Sequence, residues 1–446
     1  MKSPEMPAYH HQPQPYTGLS KEQVLALRKS YLNPGLFLYY KEPLMIVEGS
    51  MQYVYDETGR RYLDAFGGIV TVSVGHAHPY VVEAARKQME TISHTTTIYL
   101  NPVIAEYAEM LASKMPGNLK VCYFVNSGSE ANDLALLMAR LYTGNYDVLA
   151  LRNAYHGGVA STMGLTAHGT WKFNVPHSFG VHHALHADTY RGRWGAEDPE
   201  AGRKYAADLD EMIRFATPGK VAGFFAESIQ GVGGVVVFPD GYLQEAYRIV
   251  REAGGVCIAD EVQAGFGRTG EKYWGFETQG VIPDIVTMAK SIGNGAPLAA
   301  VVTTPEIAAT LSQRIHFNTF GGNPVSCAIG KAVLEVIDRD NLQAKCGELG
   351  ERLLAGFRRL HERYPVIGDV RGKGLMVALE FVKDRNTKEP DKEACAKVFE
   401  RCRELGVLVG KGGLNGNIIR ITPPMCVTHE DIDFLLDVLD VALGGS

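Results

Sequence analysis

The chain has 446 residues, 46% of them hydrophobic and 21% charged, enough for a large core and more than one domain. Its net charge of −6 gives no reason to expect a nucleic-acid partner or an anionic membrane surface. No apolar run approaches the ~18 residues of a membrane-spanning helix, and seven scattered cysteines without a C-x-x-C pair argue against a disulfide framework or a zinc site and for a reducing compartment.

Residues Met1–Tyr16 are rich in His, Pro and Gln. They lack both the apolar core of a secretory signal and the Arg-rich pattern of a mitochondrial leader. The expectation is a cytoplasmic protein, or a mitochondrial matrix protein if this is a processed eukaryotic chain. Ile46–Asp64 reads as a hairpin around the turn Glu57-Thr58-Gly59. Short apolar runs follow at Val121–Val125, Val148–Leu151, Val221–Ala226, Val256–Ala259, Ile285–Met288 and Ala299–Thr303; these read as buried strands. Between them lie helices such as Glu130–Tyr142, where Leu134, Leu137, Met138 and Leu141 keep helical spacing. Past Gly330 comes a long helical stretch. Then "IGDVRGKGLMVALEF" reads as two strands, and a last helix is expected near Glu430–Leu443. The alternation predicts an α/β fold with a large, mostly parallel sheet domain over 76–330. A smaller α+β domain is expected from both ends, 1–75 and 331–446. The crevice between the two is the natural site.

Three features carry chemistry. Ser127-Gly128-Ser129 joins the strand Val121–Val125 to the next helix, and a Gly-containing turn at a helix N-terminus can bind phosphate. It can equally be a capping box, Ser127 with Glu130. Asp260 ends a nearly wholly apolar strand, where a carboxylate is costly unless paired. A pyridinium N–H would satisfy it; so would a helix cap or an ion pair with Arg268. Lys290 sits two residues past another apolar strand, where a desolvated amine becomes a usable nucleophile, unless it reaches to solvent. Together these make a phosphate cradle, an acid for a ring nitrogen and a Schiff-base lysine, which is the set that pyridoxal 5′-phosphate (PLP) requires.

The motifs "YLDAFGGIVTVSVGHAHP", "FVNSGSEAND", "NAYHGG", "ESIQGVGG", "IADEVQAGFGRTG", "MAKSIGNGAPLAAVV", "FNTFGGNP", "DVRGKGLM" and "RITPP" occur in that order from about Leu36 onward. The sequence resembles the class III (subgroup II) aminotransferases of PLP fold type I, the aspartate-aminotransferase-like fold, and among them the alanine–glyoxylate aminotransferase 2 type. That resemblance implies roles for single residues. Ser127, Gly128 and Ser129 would hold the phosphate, Tyr155 would stack on the ring, and Asp260 would pair with its nitrogen. Gln263 would contact its phenolic oxygen, and Glu227 belongs with the cofactor-binding set. Lys290 would be the Schiff-base residue and general base, with Asp260 the second catalytic group. Thr319 matches a threonine that reaches the phosphate in the neighbouring subunit, which implies a homodimer, or a tetramer of such dimers, with shared sites. Arg420 would bind the substrate α-carboxylate. Phe66 and Tyr99 are candidates for the substrate pocket, with core or interface roles equally open.

One departure bears on substrate. In ornithine- and GABA-type relatives a glutamate two residues after the motif glutamine covers the arginine; here that position, after Gln230, is Val232. Arg420 should then stay open to α-carboxylates, which favours alanine, glyoxylate and pyruvate. Ser228, where the family usually has proline, is expected to loosen its turn. The implied activity moves the amino group of L-alanine to glyoxylate by a ping-pong mechanism. The alternative is an ω-amino-acid (β-alanine or 3-aminoisobutyrate)–pyruvate transaminase. A catalytically silent PLP-fold binding protein would need Lys290, Asp260 or Arg420 lost, and all three are present. A dinucleotide-binding dehydrogenase lacks its early G-x-G-x-x-G element. No metal is expected: His182, His183 and His186 have no supporting ligand pattern.

Overall fold

The computed structural model describes residues 4–445. Its centre is a seven-stranded sheet in the order Val121–Val125, Ala299–Thr303, Ile285–Met288, Val256–Asp260, Gly223–Glu227, Val148–Leu151, Val181–Ala184. Ala299–Thr303 runs antiparallel to both neighbours, and every other adjacent pair is parallel. This is the mostly parallel α/β sheet expected. The apolar strand runs are buried, with core on both faces, which explains why they lack polar–apolar alternation.

The sequence reading missed the edge strand Val181–Ala184 because its two histidines hid a β-run. His182 faces Asp147 at 2.9 Å, His183 the carbonyl of Gly164 at 2.9 Å, and His186 lies 3.8 Å from Asp188. They serve different neighbours, and among the described residues no cluster of three or more His, Cys, Asp or Glu could hold a metal. The helix after the first strand, Gly128–Thr143, buries Ala131, Leu134, Ala135, Met138 and Ala139. Leu137 and Leu141, placed on its inner face from spacing, are 46% and 51% exposed. Small alanines, not the larger leucines, let this helix lie close on the sheet.

Ile46–Asp64 forms three strands rather than two: Ile46–Ser50, Tyr53–Asp56 and Arg61–Asp64. The third pairs in parallel with Val407–Leu408, so both ends of the chain share one sheet. A second four-stranded sheet, all antiparallel, has the order Ile367–Lys373, Met376–Phe381, Ile418–Ile421, Gly410–Gly412. Helices Pro324–Arg339 and Leu342–Arg363 lead into it, and His429–Gly444 closes the chain. The boundary drawn at residue 330 falls inside the helix Pro324–Arg339. No helix among the described residues is long and apolar enough to cross a membrane.

Candidate active site

Where the strands of the large sheet end, two cavities meet. The inner one, about 180 Å³, is lined by Ser127–Ser129, Tyr155, Glu227, Asp260, Gln263 and Lys290, with Asn132 and His156 beneath. The outer one, about 680 Å³, is lined by Phe37, Tyr39, Phe66, Trp171, Val232 and Arg420, and by Tyr155 and Lys290 again. Tyr155 and Lys290 therefore stand at the junction.

At the inner cavity Ser127 caps the helix, but the capping box read from sequence does not close. Ser127 Oγ accepts from the Glu130 amide at 3.2 Å and caps the helix. Glu130 itself reaches the amide of Asn126 at 2.8 Å, one residue short of closing a capping box. The helix N-terminus still faces the cavity. Gly157 presses against it with φ +124°; a Cβ there would lie 2.6 Å from Ser129 Oγ. Only glycine fits that approach.

Asp260 is buried at the end of its strand. Asn132 Nδ2 and His156 Nδ1 each lie 2.8 Å from its Oδ2, and the Val262 amide donates to Oδ1 at 3.1 Å. Thr287 Oγ1 donates to Asn132 Oδ1 at 2.8 Å, which fixes that amide's orientation. Burial disfavours charge on His156, but its hydrogen bond to Asp260 and the nearby Asp260 and Glu227 charges outweigh it, so the imidazole sits above its ordinary pKa. The partner weighed from sequence, Arg268, lies elsewhere: it is buried and donates to the carbonyls of Leu375 and Pro423. It thereby braces the loop that follows Arg420.

Glu227 gives both oxygens to main-chain amides, Tyr155 at 3.1 Å and Gly231 at 2.8 Å. It ties down the backbone of Tyr155 and the loop bearing Val232. Burial pushes its carboxyl up to about 7. Ser228 does not loosen its turn. Its hydroxyl donates to buried Glu261, whose other contacts are the amides of Gly275 and Phe276. Burial also raises Glu261 to about 7.

Lys290 has a left-handed backbone, φ +55°. Burial and the nearby Arg420 charge hold its amine down to about 8, which makes roughly a tenth of it neutral at pH 7, far more than for a solvated lysine. Arg420 is 3% exposed. One nitrogen donates to Gln263 Oε1 at 2.7 Å, and the guanidinium lies 5.5 Å from the Phe66 ring centre. Its Nε has no partner, and among the described residues it makes no ion pair. A buried guanidinium without an ion-pair partner beside an open cavity offers an uncompensated positive charge to any carboxylate that enters. Val232 lines the same cavity, on a loop pinned by Asn153 to the Gly233 carbonyl at 3.1 Å and by Arg371 to the Gly234 carbonyl at 2.9 Å.

Structure brings together Ser127, Gly128, Ser129, Tyr155, Glu227, Asp260, Gln263, Lys290, Arg420 and Phe66. Thr319 and Tyr99 line neither cavity; both are exposed, Tyr99 by 67%. Sequence reasoning missed His156, Asn132 and Thr287 behind Asp260, and Trp171, whose ring meets Tyr155 edge-on at 5.3 Å. The Tyr-His-Gly run held a signal for His156, since a histidine beside a ring-stacking tyrosine is close enough to reach the acid.

The donor set fits PLP. An acid held by three hydrogen bonds, a lysine with a lowered pKa and a helix N-terminus surround one small cavity, and an unpaired guanidinium opens beyond it. This arrangement defines a PLP-dependent enzyme acting on carboxylate substrates. The class-III aminotransferase profile matches residues 39–443, and the chain belongs to that family. It is 53% identical over 438 residues to alanine–glyoxylate aminotransferase 2 homolog 2, mitochondrial, of Arabidopsis thaliana, covering 98% of this chain and 91% of that one. It is 46% identical over 460 residues to the human mitochondrial alanine–glyoxylate aminotransferase 2, covering 99% and 90%. An amine transaminase from an uncultivated Pseudomonas species, solved in its PLP-bound form, superposes with a TM-score of 0.87 at 31% identity, covering 93% and 98%. The protein is a PLP-dependent aminotransferase.

Proposed function

We propose that the protein transfers the amino group of L-alanine to glyoxylate, releasing pyruvate and glycine in a ping-pong cycle. The observation that carries this reading is Arg420: a buried guanidinium without a carboxylate partner, open to the cavity that holds Lys290 and faced by Val232 instead of a gating glutamate. Arg420 would take the α-carboxylate, with Gln263 holding its fork in place. That contact points the substrate's α-carbon toward Lys290. When bound, PLP supplies the electron sink that stabilises charge on that carbon. Asp260 would keep the ring nitrogen protonated, the Ser127–Ser129 turn would hold the phosphate, and Tyr155 would cover the ring face. Lys290 Nζ would take the proton from the donor's α-carbon, a role suited to an amine with a pKa of about 8.

The outer cavity, at about 680 Å³, has room for longer donors. This favours a second reading, an ω-amino-acid–pyruvate transaminase acting on β-alanine or 3-aminoisobutyrate. Thr319, exposed and lining neither cavity of its own chain, supports a homodimer in which it serves the neighbouring site. The mitochondrial names of the two relatives support a matrix location if the chain is eukaryotic.

The test is steady-state kinetics of the PLP-loaded protein with alanine and glyoxylate varied together. Parallel double-reciprocal lines are expected. Turnover of β-alanine with pyruvate, and none of alanine with glyoxylate, would replace this reading with the second.

A further inference from the structure

Lys290 opens a short 3₁₀ helix, Lys290–Gly293, with its own φ at +55°, a conformation that a residue with a long side chain adopts only when held there. The elements that hold it come from far away in the sequence. Ser291 Oγ donates to the Val70 carbonyl at 3.3 Å, and Ser73 Oγ donates to the Ser291 carbonyl at 2.8 Å. Asn294, at the other end of the helix, makes three bonds to main-chain groups and a longer one, 3.5 Å, to the Ser73 hydroxyl. Its Oδ1 accepts from the amides of Ser73 at 2.8 Å and Val74 at 3.0 Å, and its Nδ2 donates to the Gly75 carbonyl at 2.9 Å. Ser73 and Ser291 are buried.

The segment on the other side of this clasp is itself strained. Gly67, Gly68, Ile69 and Val70 have φ of 59°, 58°, 65° and 60°, a left-handed turn that includes two β-branched residues. Asp64 Oδ1 caps it by accepting from Phe66 and Gly67. Gly68 and Ile69 line the outer cavity, where a substrate bound to Arg420 would lie. The same segment reaches the Arg420 loop: Ala65 and Ser73 carbonyls accept from the amides of Thr422 and Met425 at 2.8 and 2.7 Å. One strained piece of chain therefore touches the wall of the substrate cavity, the carboxylate-binding loop and the helix that begins at Lys290.

We propose that Asn294 is a positioning residue: it stitches Ser73–Gly75, the stretch that follows the left-handed turn Gly67–Val70, to the Lys290 helix and so sets where the Lys290 amine stands between the two cavities. This inference rests on the aminotransferase reading. Asn294 acts through backbone and touches neither substrate nor cofactor. A role confined to capping the 3₁₀ helix would affect folding stability and leave the reactivity of Lys290 alone, so the two are separable.

The test uses the full chain carrying Asn294→Gly, which keeps the left-handed backbone of that position, φ 47°, and removes only the amide. The apoprotein is mixed with PLP, samples are reduced with borohydride at intervals, and the fraction of Lys290 modified is read by peptide mass spectrometry. Trapping about tenfold slower than wild type is expected, with kcat about tenfold lower and KM for alanine changed less than about twofold, because the Arg420 contact persists. Wild-type trapping and kcat in the folded variant would overturn the inference. If Asn294→Gly does not fold, Asn294→Asp carries the same test: it replaces the donor to the Gly75 carbonyl with a carboxylate oxygen that cannot donate, and slowed trapping is again expected. Wild-type behaviour there overturns the inference too. If the wild-type protein itself never traps PLP on Lys290, the aminotransferase reading falls and this inference with it.

Discussion

Lys290 is the residue on which most of the chemistry converges, and its lowered pKa has a direct consequence. The neutral amine is the reacting form, and its fraction grows as pH rises through the pKa. The rate at which the apoprotein captures PLP should therefore increase with pH, bend near the value of about 8, and level off above it. A stopped-flow series from pH 6 to pH 10 measures this; a rate still climbing through pH 10 would mean an ordinary, solvated lysine. Ser228 gives a second residue-scale prediction. It donates to the buried Glu261 carboxylate, so Ser228→Ala should cost about 1–3 kcal/mol in chemical denaturation with activity largely kept. The residues legible in the sequence were those whose role depends on local spacing: a turn before a helix, an acid at a strand end, a lysine past the next strand. His156, Asn132 and Thr287 were not, because their meeting at Asp260 depends on which strands lie side by side.

Among the elements, the loop Gly231–Val235 contributes Val232 to the wall of the outer cavity. Glu227, Asn153 and Arg371 pin it, and Gly413 donates to the Val232 carbonyl at 3.2 Å. Position 232 therefore has a fixed place at the cavity wall. Val232→Glu should put a carboxylate beside the unpaired Arg420, raise KM for alanine by about tenfold or more, and leave PLP binding unchanged. An unchanged KM would show that the glutamate points elsewhere. The left-handed turn Gly67–Val70 is the opposite case from the strands. Apolar runs announced the strands, whereas nothing in "FGGIVT" marks Ile69 and Val70 for positive φ. That geometry costs roughly 1–2 kcal/mol per residue, offset here by the bonds from Asp64 to the Gly67 amide and from Ser291 to the Val70 carbonyl. Tertiary contacts overrode local preference, which single-sequence patterning cannot see. The helix Gly128–Thr143 was found and its inner face half found: Leu134 and Met138 are buried, Leu137 and Leu141 are not, and the alanines beside them carry less hydrophobic signal.

At the scale of the whole molecule, the mostly parallel sheet was legible, because strand–helix alternation and short β-runs survive without knowledge of contacts. What the pattern could not reveal is the surface left uncovered by one chain. Ile98, Tyr99 and Leu100 are exposed, as are Ile315, Phe317 and Phe320. The two segments adjoin: Asn323 donates to the Ser93 carbonyl at 3.1 Å, and His94 lies 5.8 Å from Phe320, ring to ring. Thr319 lies within this apolar stretch, which fits an interface with a second copy. If Thr319 serves the neighbouring site, Thr319→Ala should weaken PLP binding about tenfold. Mixing it with inactive Lys290→Ala should then rebuild one normal site per mixed dimer and restore tight PLP binding there; no recovery would place Thr319 in its own chain's site or in neither. The central claim, an amino-group shuttle through PLP on Lys290, is tested most directly by the visible absorbance of the purified protein beside Lys290→Ala. The account predicts a PLP band in the wild type that L-alanine bleaches and glyoxylate restores, and a Lys290→Ala variant that cannot complete the cycle. No band after added PLP, or a band indifferent to alanine, would contradict it.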